Sequence, residues 1–137
     1  MTKFRAFAAV AALACAWSTP ALAVEPGQSL VSIYRISSGQ QVDFLKWAAK
    51  QDDIAVAAGI PKAQLFVHTS GDSWDYMMIF PVTTKADDDR VDAAAAKMGM
   101  NPHHMGLDMR KYVGSHTDTT TRGPTTAAEY LAWAGEK

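Results

Sequence analysis

The sequence predicts an α+β domain: strand, helix, strand, strand, helix, strand, closed by one more helix. Three observations predict it. Runs rich in β-branched and aromatic residues stand at 29–37, 63–69 and 75–82. Two long segments between and after them carry apolar residues at helical spacing. Clusters of Gly, Pro, Ser and Asp mark the turns that separate these runs.

Each element has its own warrant. "SLVSIYRIS", 29–37, is apolar on both faces, which places it centrally in a sheet. "SSGQQVDFLKWAAKQDDIAVAAG" reads as a helix, with Ser38 and Gln41 spaced as a capping box. Its Val42, Leu45, Ala49 and Val56 share a face, with Phe44, Ala48 and Ala55 beside them. Gly59 and Pro61 stop it, because Gly accepts a left-handed cap and Pro cannot continue a helix. "AQLFVHT" and "DYMMIFPV" are strands joined by the short "SGDSW", hence a hairpin. "TTKADDDRVDAAAAKMGM" is the second long helix, its Asp87, Asp88 and Asp89 suited to the positive end of the dipole. Asn101 as cap and Pro102 as first residue open a further helix. There Met105, Met109, Tyr112, Val113 and His116 are expected on one continuous face. "HTDTTTRG", 116–123, reads as a half-exposed edge strand, and Thr126 with Glu129 caps the final helix. This βαββαβ order is the ferredoxin-like split unit: an antiparallel sheet with helices on one face, here with an extra C-terminal helix.

The amino terminus has the three-part layout of a secretory signal peptide. Lys3 and Arg5 precede the apolar run "AFAAVAALACAW", and small residues stand at Ala21 and Ala23. Residues 1–23 are thus expected to be removed, leaving 24–137 as a single domain in the periplasm or outside the cell. The alternative is a lipoprotein anchored at Cys15 in "ALAC". After cleavage at Ala23 no cysteine remains, which excludes disulfides, thiolate chemistry and Cys-ligated metal. Loss of Lys3 and Arg5 takes two positive charges from a formal net charge of −1, leaving −3. No basic stripe exists for nucleic acid, and no later apolar run is long enough for a membrane span.

Over residues 29–122, in element order and small size, the chain resembles the dimeric α/β-barrel superfamily. Its tail "HTDTTTRGPTTAAEYL" resembles those of small exported bacterial proteins of this kind. Members include cofactor-independent monooxygenases, haem-handling enzymes, small isomerases and stress proteins. The resemblance implies a homodimer with a pocket in each subunit between sheet and helices. It carries no catalytic motif onto this chain.

The chemistry is concentrated in a few places. "MGMNPHHMGLDMRKYVGSH", 98–116, holds the ligand types a soft metal prefers, so His103, His104, Met105 and Met109 are a candidate copper set. Consecutive histidines on a helix diverge by about 100°, however, and methionine is a common filler of irregular cores. Inward thioethers and surface histidines are the expected outcome. In the hairpin, a five-residue loop puts His68 opposite Tyr76 and gathers Phe66, His68, Tyr76, Met78 and Phe80 on one face. That is a mostly apolar surface with one imidazole, as ligand pockets are built. A four-residue loop instead sets His68 opposite Asp75. In a strand, His116 and Asp118 share a face and can act as base and orienter.

Tyr34 and Arg35 point to opposite faces of the first strand, one lining whatever face meets a ligand. Trp74, Tyr130 and Trp133 suit a ligand clamp or a dimer contact. The Asp-rich stretches are explained by helix ends and solvated faces. The expected protein is therefore an exported homodimer that holds a small organic ligand without a cofactor. Its candidate ligand residues are Tyr34, Arg35, Phe66, Trp74, Tyr76 and Met78. The alternatives are an oxygenase or isomerase using His68 or His116 with Asp118 as base, and a periplasmic copper-binding protein.

Overall fold

The computed structural model describes residues 27–71 and 73–136. The expected signal peptide and the lipidation alternative at Cys15 lie outside the described residues. The elements run β1 (Gln28–Ile36), α1 (Gln41–Ala57), β2 (Gln64–Val67), β3 (Tyr76–Pro81) and α2 (Lys85–Lys97). A 3-10 turn (Pro102–His104) leads into α3 (Met105–Met109), β4 (Val113–Arg122) and α4 (Ala127–Ala134). The sheet order is β2-β3-β1-β4 with every neighbouring pair antiparallel, the ferredoxin-like arrangement, and β1 is central as expected.

Registers fix which side chains share a face. Tyr34 pairs with Tyr76 and Ser32 with Met78 across β1–β3, while Tyr34 pairs with His116 and Ser32 with Asp118 across β1–β4. Side chains alternate along strands, so these six lie on one side. There α1 seals Tyr34, Tyr76 and Met78 beneath Phe44 and Ala48, and Phe44 is fully buried. A second cluster joins α1 to α2: Ile54 and Ala58 against Ala94 and Ala95, whose small side chains let the helices approach closely. The opposite side of the sheet carries Val31, Ile33, Met77 and Ile79, half-buried, and Phe66, exposed.

Local chemistry explains where the elements differ from the sequence expectation. The Ser38–Gln41 capping box does not form. Gly39 takes a positive φ of 79° in a turn closed by Gln40 N–H to Ser37 O, and α1 starts at Gln41 without a side-chain cap. Gly59 does terminate α1 region with φ 74°. At α2 a reciprocal box unites Thr84 and Asp87, and the expected Thr126–Glu129 box opens α4. Asn101 caps the 3-10 turn, with Pro102 at its start.

The expected helical face from Met105 to His116 is corrected: α3 ends at Met109, and β4 begins at Val113. Pairing with β1 captures this segment, through Val113 opposite Ile36 and Ser37 N–H donating to Tyr112 O at 2.8 Å. Gly114 favours that outcome, since glycine weakens a helix. Among the described residues no helix is long and apolar enough to cross a membrane.

Candidate functional site

The polar group nearest the core is built across the β1–β4 ladder. Ser32 is buried, and its Oγ donates to Asp118 Oδ1 at 2.7 Å. The other carboxylate oxygen of Asp118 lies 3.3 Å from His116 Nε2. The His116 ring stacks on Tyr34 at 5.8 Å between centroids and 20° between planes. Tyr34 in turn abuts Phe44, which stacks on Tyr76. A chain of contacts therefore runs from a dry aromatic core to an imidazole whose side chain is 33% exposed. Burial pushes the Tyr34 phenol above its ordinary value; the Asp118 carboxylate adds to that, and the Ser32 hydroxyl opposes it.

This geometry restricts the chemistry. The hydroxyl of Ser32 is committed to the carboxylate, and the imidazole contacts the carboxylate's other side. A serine nucleophile needs its hydroxyl on the imidazole instead. What remains is a geometry suited to proton transfer: an imidazole, a carboxylate beside its Nε2, and a serine hydroxyl that holds that carboxylate. The pair expected from the two-residue spacing is thus brought together. Ser32 is the member that sequence reasoning missed, because its partner is 86 residues away and only the strand register identifies it.

The other expected site residues are divided between the two sides of the sheet. His68 N–H donates to Asp75 O at 3.0 Å, and Phe66 pairs with Met77 and Val67 with Tyr76. The register that sets His68 opposite Asp75 holds, and the face grouping Phe66 and His68 with Tyr76, Met78 and Phe80 is corrected. Tyr34, Tyr76 and Met78 are core residues under α1. Phe66 and Arg35 lie on the opposite side, where Arg35 is exposed and donates to Ser73 Oγ. Trp74, in the hairpin connection, packs on His68 at 4.8 Å. The Nε2 of His68 is buried without a hydrogen-bond partner among the described residues.

A polar side chain also satisfies the irregular end of β1. Where the β1–β4 register shifts at Arg35/Ile36, Asp75 Oδ2 accepts the Ile36 N–H at 2.7 Å.

The sulfur-rich stretch separates its ligand types. Met105 packs on the Ile54–Ala95 cluster together with Met100, and Met109 packs on the Tyr34–Phe44 cluster. His103 and His104 are exposed. Among the described residues no group of three or more His, Cys, Asp or Glu is placed to hold a metal ion.

No protein-family model matches this sequence, and a search among curated proteins finds no match. Solved structures resemble its fold. A crystallised protein of Agrobacterium tumefaciens superposes with a TM-score of 0.50 at 11% identity, over 73% of this chain and 97% of that one. A NIPSNAP family protein from the same organism gives 0.48 at 17% identity, over 73% and 94%. A dimeric protein of unknown function and ferredoxin-like fold from Bacteroides fragilis gives 0.46 at 9% identity, over 70% and 95%.

Proposed function

We propose that this protein binds a small organic ligand on the β1–β4 flank of its sheet, with His116 as the group that exchanges a proton with it. The observation that carries this reading is the Ser32–Asp118–His116 chain beside Tyr34. It places an oriented, partly exposed imidazole at the edge of an aromatic core, which suits phenolic or carbonyl compounds with an apolar body. A second reading, catalysis, draws on the 3.3 Å carboxylate contact of the same imidazole: an isomerase or cofactor-independent oxygenase would use His116 to take a proton from an activated C–H or O–H.

The test follows histidine side-chain resonances while small phenols and carbonyl compounds are added. A saturable shift at His116, abolished by His116→Ala and weakened by Asp118→Asn, is the expected result. A panel that produces no His116-dependent binding overturns the site.

The working form in this proposal is an exported homodimer. Support for the dimer is the apolar side of the sheet opposite Tyr34, where half-buried Val31, Ile33, Met77 and Ile79 and exposed Phe66 share a face by register. Ile33→Asp should turn the protein monomeric in analytical ultracentrifugation. Export rests on the leader-like first 23 residues, and the amino-terminal mass of the protein recovered from its host tests it.

A further inference from the structure

We infer that a second site, in the groove between α1 and α3, binds a small organic acid. The groove encloses about 400 Å³, within the usual size of small-molecule sites. Its rim carries three lysines. Lys46 is matched by Asp43 at 3.1 Å and Lys111 by Asp108 at 2.5 Å, while Lys50 has no carboxylate partner among the described residues. One positive charge is therefore uncompensated in a protein whose overall formal charge is −1.

The second observation lies in the wall. Trp47 lines the groove, and its Nε1–H is buried with no acceptor among the described residues. A buried donor without a partner costs about 1–3 kcal/mol, so an acceptor reaching the Trp47 N–H would stabilise this wall. A carboxylate supplies acceptor oxygens and the negative charge that Lys50 lacks. The body of the ligand meets Met100 and Tyr112, which complete the wall. Met100 is unbranched and adaptable, so this part of the lining suits an apolar body of varied shape. The site is separate from His116 and shares no residue with it.

Benzoate is the probe, added to the purified full chain while tryptophan indole N–H resonances are recorded; the Trp47 signal is identified by its loss in Trp47→Phe. A saturable shift of that signal is expected, with Lys50→Ala weakening apparent affinity about tenfold, as loss of a charge-assisted contact implies. Lys62→Ala, outside the groove, and His116→Ala should leave binding unchanged, which keeps this site's fate distinct from that of the β1–β4 flank. No saturation, equal affinity in Lys50→Ala, or an equal response to inorganic phosphate overturns the proposal: the first leaves only buried water as the partner of Trp47, and the others leave a general salt effect.

Discussion

Ser32 and Asp118, 86 residues apart, are joined side chain to side chain by a 2.7 Å hydrogen bond across the central and edge strands. The carboxylate that orients His116 is thereby tied to a serine that is 2% exposed. An edge strand alone would leave Asp118 free to turn towards water.

Ser32→Ala should cost about 1.5–3 kcal/mol in urea unfolding, the range for a hydrogen bond to a charged group. Binding at His116 should weaken as well, because Asp118 is no longer held beneath the imidazole. Unchanged binding with reduced stability would make Ser32 a structural residue only.

Tyr34 links stability to alkaline pH. Burial holds its phenol above the ordinary value of 10.0, so the unfolded chain loses this proton first. Its contribution is full below pH 10.0 and declines as pH rises from there through the folded value. Denaturation midpoints measured across that window should fall in the parent protein and fall less steeply in Tyr34→Phe.

The two capping boxes should separate local from global stability. Thr84→Ala weakens α2, whose Ala94 and Ala95 are buried against α1, and should lower overall stability by about 1 kcal/mol. Thr126→Ala should instead increase hydrogen exchange in α4 with little change in the global transition, since no residue of α4 is buried. The Asp87 carboxyl is held below its ordinary value chiefly by the Thr84 backbone N–H, with the Thr84 hydroxyl adding to it. That contribution is present above the ordinary carboxylate range and lost as pH falls through the folded value.

Phe44→Ala should be the most damaging single change, at about 3–5 kcal/mol. The ring is fully buried and touches Tyr34, Trp47 and Tyr76, so its loss empties the centre of the larger cluster. Thermal unfolding followed by circular dichroism measures it.

Much of the fold was legible because its signals are periodic and local. The β-branched and aromatic residues of β1, apolar on both faces, the Gly59–Pro61 stop, the Asn101–Pro102 start and the Thr126–Glu129 box each act within a few residues. The side-by-side placement of His116 and Asp118 was legible for the same reason. The features that escaped depend on distant partners or on one backbone angle. Ser38 has the spacing of a cap, yet Gly39 turns the chain away from it. Val113 continues a helical pattern, yet the hydrogen bonds offered by β1 capture it for the sheet. Ser32 and Trp47 look like ordinary strand and helix residues; what distinguishes them is a bond made across 86 positions and a bond not made at all.

The hairpin register has an evolutionary consequence. β2 is only four residues long and pairs with β3 alone. Adding or deleting one residue between His68 and Asp75 would exchange the two sides of that strand, turning Phe66 inward and Leu65 and Val67 outward. Descendants of this chain can thus acquire a different outer surface through an indel, with every residue of β2 conserved.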